Sequence, residues 1–409
     1  MRILVLSQYF YPESFIINNI VSTLAEQGHE VTVATGKPNY PEGEIFEGYT
    51  ARGVQRDKFQ EKVDVVRVPL WPRGIGGARN LFFNYLSFAL LGSLCFPWLL
   101  RKRKFDAILV FAPSPVTQAI PAILLKWLKG AKLALWVQDL WPESLSATGF
   151  IKNRHALGAV GLIVKAIYRC CDTLLVQSRA FVDPVARYSD RKKIIYYPNS
   201  FDSGIKTTTP IPDSLGQLLD QHFCLVFAGN LGTAQALDTL LQAALELRDD
   251  PSIRLVLIGS GSRLDWLENQ RQVHGLDNLA LPGRFPMESM PQIFQRASAL
   301  LVSLTDEPIF AQTIPSKIQA YLAAGRPIIA SLNGEGAQIV LDSGAGFASA
   351  AEEVGPLVKN IRRLKALEVT ERETMGRAGR AYFDEHFEMS RQVSVLVDLL
   401  AQDSKSKVG

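Results

Sequence analysis

A hydroxyl and an ammonium stand side by side at Ser316-Lys317, directly after Pro315 and shortly before Gly325. Proline at a helix start and glycine just past its end punctuate a short helix. Apolar runs on either side, 299–304 and 327–331, read as strands. Free N–H groups of the first turn, the Ser316 hydroxyl and the Lys317 ammonium then face one point, which makes an anion site. A helix dipole alone stabilises an anion by about 0.3–2 kcal/mol. That is too little to hold a diphosphate, so Lys317 must supply charge-assisted hydrogen bonds. The competing reading is a buried strand–helix–strand unit whose lysine is merely solvated.

Other polar groups gather at turns that follow apolar strands. Gly259 and Gly261 sit where backbone can approach a phosphate or a base, and Arg284 lies in Leu-Pro-Gly-Arg-Phe-Pro (281–286), as a crevice cation or a plain surface residue. Gln138-Asp-Leu-Trp-Pro-Glu-Ser144 puts Asp139 and Glu143 four apart around Trp141; the alternative for Asp139 is a turn or helix cap. Asn39 and Tyr40 lie in Pro-Asn-Tyr-Pro-Glu-Gly (38–43), a loop at a strand's carboxyl end or an ordinary turn. The first turn, Gln8 to Ser14, lacks Gly-x-Gly-x-x-Gly, which argues against a nicotinamide or flavin enzyme. No Asp-x-Asp motif is present and the five histidines form no ligand pair, so no metal and no cofactor is expected. Four cysteines without metal or disulfide spacing predict a reducing cytoplasm.

The elements that position these groups repeat a β-α-β rhythm. A strand over 2–7, a helix over 14–27 with Ile16, Ile17, Ile20, Val21 and Leu24 on one side, and a strand over 30–35 imply a parallel sheet. Further helices are predicted over 156–170, 179–188 and 390–401, and residues 204–216, rich in Thr, Pro and Gly, read as a linker. The expected organisation is α/β: two Rossmann-like parallel-sheet domains facing a cleft, residues 1–203 and 204–385, followed by a terminal segment 386–409. Charge divides the same way. Residues 1–200 hold 25 Lys and Arg against 15 Asp and Glu; the remainder holds 19 against 25. A basic half faces an anionic partner, and with no RNA-binding motif in view, membrane or phosphorylated substrate is favoured over nucleic acid.

Residues 81–100 form the most hydrophobic run and lead into Arg101-Lys-Arg-Lys104. The length approaches a membrane span. A span is rejected, because a strand resumes at 106 and the two halves of one sheet would stand on opposite sides of a bilayer. A buried helix and a helix lying on an anionic membrane surface remain open.

Ala-Ala-Gly-Arg-Pro-Ile-Ile (323–329) after the short helix resembles the signature of family-4 glycosyltransferases, which have the GT-B fold. The family's two glutamates correspond to Gln312 and Ala320, and its diphosphate-holding arginine and lysine to Asn230 and Gln235 in Gly229-Asn-Leu-Gly-Thr-Ala-Gln235. The segments 315–325, 139–144 and 198–202 are similar to a branch that builds bacterial surface polysaccharides, including N-acetyl-L-fucosamine transferases of O-antigen synthesis. The resemblance implies retaining, metal-independent transfer, with residues 1–203 binding the acceptor, 204–385 binding the nucleotide sugar and 386–409 returning to the first domain. UDP-N-acetyl-L-fucosamine is the expected donor and a polyprenyl-diphosphate-linked saccharide the acceptor, at the inner face of the cytoplasmic membrane. A GDP-fucose-type transferase and a nucleotide-sugar epimerase are the alternatives. Donor contacts are expected from Gly229, Asn230, Gln235, Gly259, Gly261, Arg284, Gln312, Ser316 and Lys317. Acceptor contacts are expected from Asn39, Tyr40, Trp141 and Glu143. Lys317 is the expected leaving-group cation, with Asp139 and Glu307 positioning sugar hydroxyls.

Overall fold

Apolar strands alternating with helices fold into two sheets, and the computed structural model describes residues 1–74, 77–147, 150–151, 153–204 and 209–402. The chain divides into one unit of Met1–Asn199 with Gln392–Gly409 and a second of Ser200–Arg391. The second unit thus takes in residues 200–203 and 386–391, which the sequence alone assigns to the first domain and to the returning helix.

The first unit holds strands β1 (Arg2–Leu6), β2 (Glu30–Thr35), β3 (Gln55–Phe59), β4 (Val63–Arg67), β5 (Ala107–Ala112), β6 (Lys132–Val137), β7 (Thr173–Val176) and β8 (Ile194–Tyr196), ordered β3-β4-β2-β1-β5-β6-β7-β8. All pairings are parallel except β3 with β4. A wholly parallel sheet is therefore not what forms. A tight turn at Gln60 and Glu61, both with positive φ, folds a polar strand back as an antiparallel edge. Helix α1 (Ile16–Glu26) buries Ile17, Ile20, Val21 and Leu24. Helices α2 (Ala78–Leu99), α3 (Ile120–Lys129), α4 (Glu143–Ala147), α5 (Arg154–Cys170) and α6 (Val182–Ala186) follow. The helix predicted over 179–188 is shorter, a 3₁₀ turn at Arg179–Phe181 and then α6.

Strand order reverses between β1 and β5, and open α/β sheets hold ligands at the carboxyl ends of strands beside such a reversal. Buried Arg67 at the end of β4 braces this edge. Its Nε meets Asp57 Oδ2 at 2.6 Å, while Nη1 and Nη2 donate to Gly36 O at 3.3 Å and Tyr11 O at 2.6 Å. One guanidinium thus ties β3 to the turns after β1 and β2.

The second unit is built from α7 (Asp213–Gln221), β9 (Phe223–Ala228), α8 (Leu237–Leu247), β10 (Ile253–Ile258), α9 (Leu264–Val273), β11 (Leu279–Gly283), α10 (Met290–Arg296), β12 (Ala299–Ser303), α11 (Pro308–Ala311), α12 (Ser316–Ala324), β13 (Ile328–Ser331), α13 (Glu335–Asp342), β14 (Gly346–Ser349), α14 (Val354–Ala366) and α15 (Val369–His386). Its six strands are parallel in the order β11-β10-β9-β12-β13-β14. The linker expected over 204–216 is cut short because α7 begins inside it, burying Leu215 and Leu219. The last helix, α16 (Met389–Ala401), is tied into the first unit where Gln392 O accepts from Tyr197 Oη at 3.0 Å.

Breaking a buried ion pair leaves a charge unpaired. Asp57→Ala should therefore lower stability by about 3 kcal/mol, seen as an earlier urea midpoint with an unchanged slope. An unchanged midpoint would remove Arg67 as the brace.

Candidate active site

Three glycine turns at the carboxyl ends of β9, β10 and β11 are stitched together by backbone. Gly229 N donates to Ile258 O, Leu231 N to Ser260 O, and Gly259 N to Gly283 O, at 2.8–2.9 Å. Gly229 and Gly259 have φ of 149° and 145°, and a Cβ on Gly259 would lie 1.8 Å from Gly229 O. Only glycine permits that approach. Beside these turns opens a cavity of about 930 Å³ within the second unit. Gly229, Asn230, Gly259, Ser260, Ser316 and Lys317 form its polar part. Phe285, Met290, Phe294, Ala320, Ala323 and Ala324 line its apolar part.

Lys317 enters from the first turn of α12. That helix has Pro315 at its N-cap without a side-chain cap and ends at Gly325 in the left-handed conformation. The ammonium donates to Gln235 Oε1 at 2.8 Å and lies 4.8 Å from the Phe227 ring centroid. No carboxylate pairs with it among the described residues. Burial pushes its pKa down to about 8. An ammonium stripped of water and held by one neutral oxygen gains from an incoming anion. Gln235 is itself buried, with Ser303 Oγ donating to its carbonyl at 2.7 Å. The neutral residue that takes the place of a lysine in the family pattern therefore holds the lysine that α12 supplies.

In the first unit a second polar group forms beyond β1, β2, β5 and β6. Trp141 Nε1 donates to Ser114 Oγ at 3.1 Å and to Asp139 Oδ2 at 3.2 Å, and burial raises the Asp139 pKa. Arg73 donates from Nη1 to Tyr9 Oη at 2.7 Å and lies 5.1 Å from the Tyr40 ring centroid. Buried Glu13 accepts from the N–H groups of Phe10, Asn39 and Tyr40 at 2.8–3.0 Å, while burial pushes its carboxyl up to about 7. Gln138, Gln177 and Asn199 close an amide network, with Gln138 Nε2 donating to Asn199 Oδ1 at 2.9 Å.

Residues 15–200 match the family described as glycosyl transferase 4-like domain, and residues 222–366 match glycosyl transferases group 1. The protein is a glycosyltransferase. It is 27% identical over 343 residues to the colanic acid biosynthesis glycosyl transferase WcaI of Escherichia coli K12, covering 80% of this chain and 82% of the relative. It is 25% identical over 269 residues to the glycosyltransferase WbjE of Pseudomonas aeruginosa, 62% of each. The Anabaena protein Alr3699/HepE, crystallised in complex with UDP, shares the fold at a TM-score of 0.69 and 14% identity, over 98% of this chain and all of that one. The fold is GT-B.

Within the glycosyltransferase, six of the expected donor residues line the cavity: Gly229, Asn230, Gly259, Arg284, Ser316 and Lys317. Gln235 reaches it through Lys317. Gly261, Gln312 and Glu307 stand outside the lining. Gly261 packs on Leu231 O, where a Cβ would lie 2.4 Å away, so its work is turn-to-turn packing. Glu307 is exposed at the N-cap of α11 and Gln312 closes the same short helix, and neither reaches the cavity lining. Asn39 is also corrected. It is fully buried, its side chain bonded to Lys37 O and Arg73 N, and it shapes the loop instead of meeting an acceptor. Glu143 lies 3.8 Å from Arg187, and Tyr40 and Trp141 stay with the Arg73 and Asp139 groups. Sequence reasoning missed Glu13, Arg73 and Arg380. Arg380 borders the cavity while paired with Asp384 at 2.9 Å. Only Glu13 left a signal, a carboxylate directly after the aromatic and proline run Tyr9-Phe-Tyr-Pro12.

Gly259→Ala should cost the glycosyltransferase about 2–4 kcal/mol in urea unfolding. Gly275→Ala, at φ 58° with nothing within 4 Å of its Cβ, should cost about 1–2 kcal/mol. Equal costs would mean that the turns yield easily.

Proposed function

We propose that the enzyme binds a nucleoside diphosphate sugar in the second unit and moves the sugar, with retention and without a metal, onto a lipid-diphosphate-linked saccharide of bacterial surface polysaccharide. The observation that carries this reading is the uncompensated Lys317 ammonium beside glycine turns in a cavity with one apolar end. A flat base fits among Phe285, Met290 and Phe294. A diphosphate fits where backbone approaches closely, against the N–H groups of α12, the Ser316 hydroxyl, Lys317 and Arg284. The name of WcaI, a colanic acid biosynthesis glycosyl transferase, supports a polysaccharide product.

Charge grows on the leaving diphosphate as the glycosidic bond breaks, so a fixed cation there acts most strongly in the transition state. The departing phosphate oxygen takes the acceptor's proton. Asp139 positions a sugar hydroxyl, and Arg73 faces the acceptor's diphosphate with Tyr9 and Tyr40 around it. UDP-N-acetyl-L-fucosamine is the donor we favour by resemblance, with a GDP-fucose-type donor second, and the reaction takes place at the cytoplasmic side of the membrane. Incubation with UDP- and GDP-sugars and a polyprenyl-diphosphate saccharide should yield a longer glycolipid. Isomerised sugar nucleotide, or no product with any donor, would overturn the reading.

Lys317→Ala should reduce kcat/KM by about 10²–10³-fold with little change in thermal midpoint. Near-normal transfer by the folded variant would exclude the proposed role. The free lysine, with its pKa near 8, gives up its proton as pH rises past that value. UDP favours the charged form, so calorimetric titrations above pH 8 should show weaker binding accompanied by proton uptake. The Lys317→Ala protein should lose both effects, and their persistence would assign the proton to another group.

A further inference from the structure

We propose that the face of the first unit's sheet covered by α2, α3 and α5 rests flat on an anionic lipid bilayer. The proposal deepens the lipid-linked acceptor reading. Its test reads binding and not transfer, so the two fail separately.

These helices connect strands that step in one direction along the sheet, β4 to β5, β5 to β6 and β6 to β7, whereas α1 steps the other way. Right-handed crossovers put the first three on one face. Consistent with this, α2 packs on α3 and α3 on α5, and their inner residues Phe88, Phe96, Leu125 and Val164 share one core. Helix α2 carries two ridges at four-residue spacing. One, at 84, 88, 92, 96 and 100, is buried. The other, Phe82, Leu86, Leu90, Leu94 and Trp98, is exposed, with Leu94 at 73% and Trp98 at 64%. From residue 80 to 99 every exposed position is apolar. Trp127 on α3, 67% exposed, and Leu162 on α5, 70% exposed, extend the surface.

Charge identifies the occupant. None of the three helices contains an aspartate or glutamate. At the end of α2 the basic segment 101–104 is held rigidly, because Lys129 Nζ donates to the carbonyls of Leu100, Arg101 and Arg103 at 2.6–3.1 Å. Arg103 turns inward to Asp64, leaving Arg101, Lys102 and Lys104 exposed, with Arg101 4.3 Å from the Trp98 ring centroid. Apolar ridges beside a tryptophan and a basic rim whose neighbouring acids, Asp64 and Asp106, are already paired with Lys58, Arg103 and Arg2 match the headgroup–acyl boundary of an anionic leaflet. A partner protein or second copy would need matching acids for that rim. Helix α2 is long and apolar enough to cross a membrane. Yet β4 and β5 at its two ends belong to one sheet and its buried ridge packs on that sheet, so it lies along the surface.

Co-sedimentation of the full chain with phosphatidylcholine vesicles containing about one third phosphatidylglycerol tests this. Strong binding is expected, with much weaker binding to pure phosphatidylcholine and at about 0.5 M salt. Leu90→Glu with Leu94→Glu should weaken binding at least about hundredfold. Lys102→Glu with Lys104→Glu should weaken it about tenfold. Both variants should keep the thermal midpoint, and Leu94→Ser serves as a milder change if the pair unfolds. Brominated lipids should quench Trp fluorescence, and the quenching should fall in Trp98→Leu. Unaltered sedimentation of the folded variants would overturn the proposal. So would a dimer that the leucine pair dissolves, or membranes that retain the protein through alkaline carbonate.

Discussion

One desolvated ammonium governs the second unit. Lys317 sits where water is scarce, against the Phe227 ring, with one amide oxygen from Gln235 as its fixed partner. Its cost is the desolvation that pushes its pKa down to about 8. Everything around it makes that position possible. Pro315 starts α12 at the required residue, Gly229 leaves room for the stem (a Cβ there would lie 2.6 Å from Lys317 Cε), and Ser303 fixes the loop that carries Gln235. The lysine's immediate neighbours are groups that fit by size and backbone freedom, with Arg284 and Arg380 elsewhere on the cavity lining.

The first unit solves a different problem with the same physics. Its polar turns lie beyond β1, β2 and β4, and two buried charges hold them. Arg67 takes carbonyls from the turns after β1 and β2, and Glu13 takes N–H groups from the same two turns. Each supplies several directional bonds at once, which apolar packing cannot do. Tyr9, Tyr40 and Arg73 inherit their positions from that frame.

The fold was legible because its signal is periodic. Helix α1 shows its buried stripe in residue types, and α12 is marked by Pro315 and Gly325. Strand β3 was not legible, since Gln55-Arg-Asp-Lys-Phe is polar at nearly every position and is held as a strand by Arg67 and by its neighbour. In the site, glycines and the helix-start lysine could be read because local backbone chemistry fixes them. Glu307 and Asn39 were misread because their roles depend on where a short helix points and on which partner fills an amide. Arg73 and Glu13 meet their partners through contacts dozens of residues away, and no spacing encodes that.

The turn after β9 carries neutral Asn230 and Gln235, and that neutrality has a consequence for rate. In the proposed reaction, an arginine and a lysine there would grip the diphosphate in donor and product alike, and uniform grip does not raise kcat. Lys317 is buried, so part of its attraction for phosphate is offset by the cost of keeping it charged away from water. As the glycosidic bond breaks, negative charge accumulates on the phosphate and the offset is overtaken. A desolvated lysine therefore responds to the growing charge more sharply than a water-exposed cation would. After transfer, the bound diphosphate keeps that lysine protonated, and its burial favours loss of the proton only once the nucleotide has left.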